Sequence, residues 1–181
     1  MMPVDFGVIS ATESAAIKEN RIEQALFRSP GSDGFVERFE TSLGKIAFLA
    51  LPAIPGGFPL PNQGFIERVR TIIEEARKGV DLLVAISPWG AQGDRYFLES
   101  GPGPIDIFLG SGSGPGINGI LQNNGRTFWF RAYEKGKGVT LITLRGLPGS
   151  DGWKQGRDIV FKTVLLKDNM REDPEVKKIF Q

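Results

Sequence analysis

The fold is decided by the stretch NQGFIERVRTIIEEARKGVDLLVAIS, which runs from Asn62 to Ser87. Its first part predicts an amphipathic helix, capped by Asn62 and ended by a left-handed Gly79. The apolar residues of that helix recur at the spacing of a single face and are Phe65, Ile66, Val69, Ile72, Ile73 and Ala76. Asp81–Ser87 follows as a continuous apolar strand of the kind buried on both faces in a parallel sheet. A helix leading into such a strand indicates an α/β layer.

Upstream of this unit, the pattern predicts strand, helix and hairpin. Val4–Ala11 is expected to form a short buried strand and Glu13–Phe27 a helix. After a turn, Phe35–Phe39 and Lys45–Leu51 are expected to pair as strands through Leu43-Gly44.

Downstream, Ile105–Leu109 predicts a second buried strand, and the chain then changes to antiparallel strands. Arg126–Tyr133 and Val139–Arg145 flank Glu134–Gly138, which is typical of a hairpin turn, and Asp158–Leu166 predicts a further strand. Asp173-Pro174 can begin a short closing helix, and the residues expected to dock it on the body are Val176, Ile179 and Phe180. The fold class is therefore α/β, with mixed β-sheets flanked by helices, in a single domain over residues 1–181.

Composition restricts the chemistry, because the 181 residues include no histidine and no cysteine. These are the usual transition-metal ligands, so we expect no metal and no cofactor, and disulfides and thiol catalysis are excluded. The 22 basic and 21 acidic side chains give a net charge of +1, so no nucleic-acid or membrane partner is expected. The N-terminus lacks the pattern of a signal peptide. A cytoplasmic location is the default and the compartment stays open.

Four segments, in this order and spacing, resemble the later part of the catalytic domain of metallophosphoesterases of the 5′-nucleotidase type. They are Leu43–Leu49, Asp81–Ser87 with Pro88-Trp89-Gly90, Asp106–Gly114, and Lys135–Gly138. The resemblance implies part of a four-layer sandwich of two sheets between helices, and it leaves a periplasmic location open. It also implies that the opening Asp-x-His strand of that family has no counterpart here.

The same resemblance places non-coordinating residues where that family has its metal ligands. Pro88 stands in the place of one histidine, and Gly112 and Gly114 stand in the places of two others. In the segment that resembles Gly-Asn-His-Glu, Ala11 replaces the asparagine ligand, Thr12 replaces the catalytic histidine, and Glu13 is retained. A dinuclear site needs donor atoms that proline and glycine side chains lack. We therefore expect no catalytic residue and no metal ligand.

Other residues are candidates for lining the cleft that holds the metals in the resembled family. The backbone around Ser111, Gly112, Ser113 and Gly114 could form an anion nest for a phosphate-like ligand, although glycines relaxed into a vacated loop explain the pattern more simply. Trp89 is expected at the rim of the cleft. Glu13 and Asp94 would lie near it, with Asp94 as an exposed charge on a short helix.

Two further features have structural interpretations. The run Phe128-Trp129-Phe130, with Arg126 and Arg131, could stack on nucleobases, but alternating aromatics on a strand favour sheet packing. Asp81 and Asp106 each precede a buried strand, where a turn or capping hydrogen bond explains them. The apolar strands need cover on both faces, so we expect a homodimer or a partner subunit.

Three functions stay open at this point. The first is a non-catalytic metallophosphoesterase-like domain with a binding, assembly or regulatory role. The second is a phosphoester hydrolase acting on nucleotides or similar substrates, with metal ligands supplied by a missing or separate N-terminal half. The third is a small anion-binding or nucleotide-binding module.

Overall fold

A computed structural model describes residues 7–9, 11–19, 27–133 and 137–166. The three α-helices of these ranges are α1 (Ala11–Glu19), α2 (Gln63–Arg77) and α3 (Gly90–Glu99), and a short 3-10 helix covers Pro55–Gly57. The strands are β1 (Gly7–Val8), β2 (Phe27–Arg28), β3 (Phe35–Thr41), β4 (Gly44–Ala50), β5 (Leu82–Ser87), β6 (Ile107–Gly110), β7 (Ile117–Gln122), β8 (Thr127–Arg131), β9 (Gly138–Leu144) and β10 (Ile159–Leu165). No helix in the described ranges is long and apolar enough to cross a membrane.

The central element is a six-stranded mixed sheet with the order β3-β4-β5-β6-β8-β7. Strands β4, β5, β6 and β8 run parallel, whereas β3 and β7 are antiparallel edge strands. Strands β9 and β10 form a separate antiparallel pair, and β1 and β2 form a short parallel pair. This arrangement confirms the predicted α/β class with mixed sheets.

Helix α2 forms as the sequence predicts. The Asn62 side chain accepts a hydrogen bond from Phe65 N at 2.9 Å, and Gly79 has φ +70° just beyond the end of the helix. The face that packs on the sheet consists of Phe65, Ile66, Val69, Ile73 and Ala76. Burial of this face, more than intrinsic propensity, stabilises the helix.

The sheet separates two apolar cores. On one side, α2 and α3 cover alternate residues of the strands, such as Ala47, Leu83 and Phe108. On the other side, the residues of the intervening positions, such as Val84 and Phe128, pack against side chains of β9 and β10. The layers of the described chain are therefore helices, six-stranded sheet and two-stranded sheet.

The beginning of the chain differs from its prediction. Strand β1 is limited to Gly7–Val8, and Ala11, expected at the end of a strand, begins α1 instead. Phe27, expected at the end of a helix, lies in β2, because Phe27–Arg28 pairs in parallel with β1. Residues 1–6, 10 and 20–26 lie outside the described residues, as does the closing helix predicted from Asp173.

The predicted hairpin between β8 and β9 is wrong. Strand β8 pairs on one side with β6 and on the other with β7, so neither of its edges is open, and β9 pairs with β10 instead. The sequence pattern does not predict strand β7, because the strand begins in the glycine-rich stretch and a bulge between Ile117 and Ile120 interrupts its alternation of apolar residues.

Candidate functional site

Three strands of the central sheet end side by side at one edge. In the register of the sheet, Ser87 at the end of β5 lies beside Gly110 at the end of β6, and Gly110 lies beside Arg131 at the end of β8. The carboxyl ends of parallel strands are where ligands commonly bind in open α/β sheets. This edge also brings together Pro88 and the loop of Ser111–Gly114.

The centre of this edge is a buried ion pair between Arg131 and Asp94, whose side chains are both 0% exposed. The guanidinium also donates to Gly112 O at 3.1 Å, to Ser113 O at 3.0 Å and to Pro115 O at 3.2 Å. We refer to the following residues as the arginine cluster: Ser87, Asp94, Gly110, Gly112, Ser113, Pro115 and Arg131.

Asp94 has a second partner inside the cluster. Its Oδ1 accepts a hydrogen bond from Ser87 Oγ at 2.6 Å, while its Oδ2 pairs with the guanidinium of Arg131. Burial raises the pKa of Asp94 to about 6, and the Ser87 hydrogen bond and the charge of Arg131 oppose that rise. Asp94 is therefore mostly ionised at pH 7, as the pairing with a permanent cation requires.

Two glycines make room for the cluster. A Cβ at Gly110 would collide with Asp94 Oδ2 and would lie 2.8 Å from Arg131 Cγ, so only glycine lets the ion pair cross β6. Gly112 has φ +79°, and a Cβ there would lie 2.8 Å from Pro88 O. The absence of a side chain at Gly112 thus lets the loop after β6 lie close against the loop after β5.

The loop after β6 also closes the N-terminus of α3. Gly90 N donates to Ser111 O at 3.0 Å, and Ala91 N donates to Ser113 O at 2.8 Å. Ser111 N and Ser111 Oγ both donate to Ser87 O, at 2.8 and 2.9 Å. The carbonyl groups of this loop thus satisfy the first amides of the helix and the guanidinium. An anion nest in the loop stays a prediction.

The other predicted site residues are distributed as follows. Pro88 is exposed beside the arginine cluster, and Gly114 packs close to Ala91 at the start of α3. Ala11, Thr12 and Glu13 lie in α1, where the Glu13 side chain is exposed. The arginine cluster contains no residue of α1, so the role predicted for these three positions stays a prediction.

The structure corrects the expected surroundings of Asp94. It lies on α3, as expected, but its side chain is fully buried instead of exposed. The reason is that this face of α3 packs over the strand ends, where Arg131 supplies the opposite charge.

The structure also corrects the expected position of Trp89. The Trp89 indole lies in the core instead of at a rim, with 8% exposure. Its Nε1 donates to Pro52 O at 2.7 Å, and its ring lies 5.7 Å from Phe65 and 5.2 Å from Phe97 between ring centroids.

The aromatic run of β8 is buried, as the packing interpretation predicts. Phe128, Trp129 and Phe130 are at most 3% exposed, and they alternate between the two cores of the sheet. Arg131 continues this alternation on the helix side, which is why its charge is buried opposite Asp94.

The opposite edge of the sheet carries a cavity of about 1040 Å³ at the amino ends of the strands. Asp106 lines it, pairs with Arg77 and accepts a hydrogen bond from Leu83 N at 2.7 Å. Burial raises the pKa of Asp106, and the hydrogen bond from Leu83 N and the charge of Arg77 oppose that rise. Asp81 accepts from Lys45 N at 2.8 Å. Both aspartates thus accept backbone hydrogen bonds, but each of these bonds comes from a neighbouring strand and not from the predicted turn or cap.

The sequence pattern associates Arg131 only with a nucleobase platform, and it does not single out Ser87. A signal for Arg131 was present, because it occupies the helix-facing parity of an otherwise apolar strand. An arginine at such a position needs a buried acid as its partner. No sequence spacing indicates which acid that is.

The fold is similar to that of a solved structure described as a "putative 5′-nucleotidase" from Staphylococcus aureus in complex with α-ketoglutarate. The TM-score is 0.58 at 12% identity, over 97% of this chain and 41% of that chain. A hypothetical protein from Thermus thermophilus gives a TM-score of 0.55 at 12% identity, over 90% of this chain and 76% of that chain. No family profile matches the sequence, and no curated protein matches it. The chain thus has a fold similar to part of that Staphylococcus protein, of which it spans less than half.

The residues at the carboxyl edge do not fit the pair of metal ions that the resemblance to metallophosphoesterases implies. Pro88, Gly112 and Gly114 have no side-chain donor atoms, and the carbonyls of Gly112 and Ser113 already accept from Arg131. In the described ranges, no group of three or more acidic, histidine or cysteine side chains is arranged to hold a metal.

Proposed function

We propose that this chain is a non-catalytic 5′-nucleotidase-like domain with a binding, assembly or regulatory role. The observation that carries the proposal is the buried guanidinium of Arg131 at the carboxyl edge of the sheet. It is held by one carboxylate and three backbone carbonyls, which are oxygen ligands of the type that hard cations take. A fixed organic cation thus lies beside the loop that the resemblance equates with a metal-binding loop of that family.

Electrostatics supports this proposal. Arginine stays charged at any physiological pH, so the positive charge in the cluster is permanent. A divalent cation at the position of Gly112 would lie close to that charge in a low-dielectric environment, where like charges repel strongly. The arginine cluster therefore stabilises the loop geometry and disfavours a metal at the same place.

Metal content and hydrolysis together test the proposal. The protein is loaded mildly with Mn²⁺, Zn²⁺ or Fe²⁺, desalted and analysed for bound metal, with an expected content well below one equivalent per chain. Hydrolysis of nucleotides and generic phosphate esters is expected to stay at background with and without added metal. Asp94→Asn and Glu13→Gln are the matched variants and should leave that background unchanged.

The other two functions give different results in the same experiments. Two tightly held metals per chain, with saturable turnover that Asp94→Asn or Glu13→Gln abolishes, would support a phosphoester hydrolase. A rise in melting temperature that saturates with inorganic phosphate or a nucleoside monophosphate would support an anion-binding or nucleotide-binding module.

A homodimer or partner subunit belongs to the proposed role in assembly. The physical basis for it is the apolar sheet face formed by β5 and β6, of which β9 and β10 of the same chain cover a part. Light scattering at micromolar concentration tests the assembly. A clean monomer over that range would argue against the dimer.

A further inference from the structure

Strand β3 is an edge strand of the central sheet, and within the described residues it pairs only with β4. Its seven residues keep one continuous antiparallel register, with no proline and no bulge. The other edge strand, β7, is interrupted by a bulge between Ile117 and Ile120. A regular edge is a template for the addition of another strand, whereas bulges and prolines usually block such pairing.

The hydrogen bonds of β4 show which backbone groups of β3 face the open edge. Lys45 N donates to Asp81 Oδ2 at 2.8 Å, and Lys45 O accepts from Asp81 N at 2.7 Å, so both backbone groups of Lys45 point away from β3. Two directly opposed residues of an antiparallel pair either bond each other twice or not at all. Glu40, which lies opposite Lys45, therefore directs its N–H and C=O to the open edge. The pattern repeats every two residues, so Arg38 and Val36 do the same.

Val36 and Arg38 also line a groove between β3 and α2. The groove has a volume of about 370 Å³, and α2 contributes the rest of its lining with Thr71, Ile72, Glu75 and Ala76. Val36 and Ile72 are half-buried and pack against the core. Side chains directly opposite each other on neighbouring strands lie on the same face of a sheet. A strand added to β3 would therefore place the two side chains opposite Val36 and Arg38 at this groove.

The charges at this edge favour a particular kind of added strand. The acidic residues of β3 and of the groove are each paired with a basic residue: Glu37 with Arg28, Glu40 with Lys45, and Glu75 with Lys78. The other charged residues of α2 lie outside the lining of the groove. Arg38 is exposed, and its side chain pairs with no other described residue. The groove thus has one unpaired charge, and an acidic side chain directly opposite Arg38 would complement it.

We propose that the open edge of β3 binds an extended peptide segment of a partner protein, which adds a strand antiparallel to β3. The segment carries an acidic residue opposite Arg38 and, two positions later, an apolar residue opposite Val36. Backbone hydrogen bonds to β3 supply affinity in this mode of recognition, and the groove beside α2 selects the two side chains. The surface lies apart from the arginine cluster, so the proposal does not depend on the metal and hydrolysis experiments above.

A fluorescently labelled peptide tests this surface on the full chain. Its sequence is Thr-Lys-Thr-Glu-Thr-Leu-Thr, which sets lysine opposite Glu40, glutamate opposite Arg38 and leucine opposite Val36. Fluorescence anisotropy is expected to show saturable one-to-one binding. N-methylation of the peptide glutamate removes an N–H that bonds Arg38 O and should weaken binding at least about fivefold. N-methylation of the threonine that follows it, whose N–H points away from β3, should change the affinity less than about twofold.

Charge reversal tests the assigned register. Arg38→Glu should weaken binding of this peptide at least about fivefold, because it sets like charges directly opposite each other. Replacement of the peptide glutamate by lysine should then restore the affinity. The control is Arg95→Glu, which reverses an exposed arginine of α3 and should leave the affinity within about twofold of the wild type. Equal effects of the two variants would overturn the proposal. Absence of saturation below roughly 1 mM, with leucine, valine or isoleucine at the apolar position, would overturn it as well.

Amide hydrogen exchange distinguishes an open edge from one that is already paired. In the free protein, the N–H groups of Val36, Arg38 and Glu40 are expected to exchange at least about tenfold faster than those of Glu37 and Phe39, which point to β4. Saturating peptide should slow the exchange of the first three at least about tenfold. Protection of those three amides in the free protein would overturn the proposal. If that protection rises with protein concentration, a second copy pairs with β3; if it does not, another segment of the same chain does.

Discussion

Replacement of Arg131 by methionine tests the arginine cluster most directly. Methionine keeps a long apolar stem, so the main change is the loss of the guanidinium and its bonds to Asp94, Gly112 O, Ser113 O and Pro115 O. Both charged side chains are 0% exposed, so solvent does not screen the Asp94 carboxylate left behind. Breaking a fully buried pair by removing one partner costs about 3–5 kcal/mol in the free energy of unfolding.

The assay is urea unfolding followed by far-ultraviolet circular dichroism and tryptophan fluorescence. For a chain of this size, the expected loss corresponds to a melting temperature lower by about 6–20 °C. The matched control is Arg126→Met, which removes an exposed arginine next to β8 and should stay within about 0.5 kcal/mol of the wild type.

A double-mutant cycle isolates the pairing energy. With Asp94→Asn in addition to Arg131→Met, no buried charge remains in the pair, so we expect more than half of the lost stability to return. The reasoning is refuted if Arg131→Met unfolds within roughly 1 kcal/mol of the wild type, taken as the limit of the method. It is also refuted if the two substitutions are simply additive.

Three further predictions concern the same region. Gly110→Ala should lower the free energy of unfolding by about 1–3 kcal/mol, because its Cβ would intrude on the ion pair. Gly31→Ala, at an open position, is the control and should leave the free energy of unfolding unchanged. Equal melting temperatures for the two variants would contradict this prediction. The pKa of Asp94 is about 6 in the folded chain and 3.8 in the unfolded chain, so Asp94 takes up a proton on folding between these pH values. The free energy of unfolding of the wild type, relative to that of Asp94→Asn, should therefore fall as pH rises from 4 to 6. A flat or rising difference in pH-dependent urea unfolding would refute that assignment. Trp89→Phe should cost about 1–2 kcal/mol through its lost hydrogen bond to Pro52 O, and a thermal melt indistinguishable from that of the wild type would argue against this role.

The elements with local patterns could be predicted from the amino-acid sequence alone. The apolar face of α2, its Asn62 cap and its Gly79 terminator are spaced within a few residues of one another, so periodicity and capping chemistry suffice to predict them. The continuous apolar run of β5 likewise shows that it is buried on both faces. The resemblance in order and spacing led to the 5′-nucleotidase-like fold, which the structural similarity supports.

Contacts between distant segments could not be predicted in this way, because they depend on the assembled fold. Strand β8 could not be assigned to β6 and β7 from its own sequence, because a turn signal such as Glu134–Gly138 says nothing about whether an edge is already paired. Asp94 and Arg131 are 37 positions apart, and no local pattern links one to the other. Their burial follows from the parallel register that aligns the ends of β5, β6 and β8 under α3. That register is a property of the assembled sheet. It brings Ser87, Gly110 and Arg131 side by side, so that Arg131 and Asp94 form one buried charge cluster.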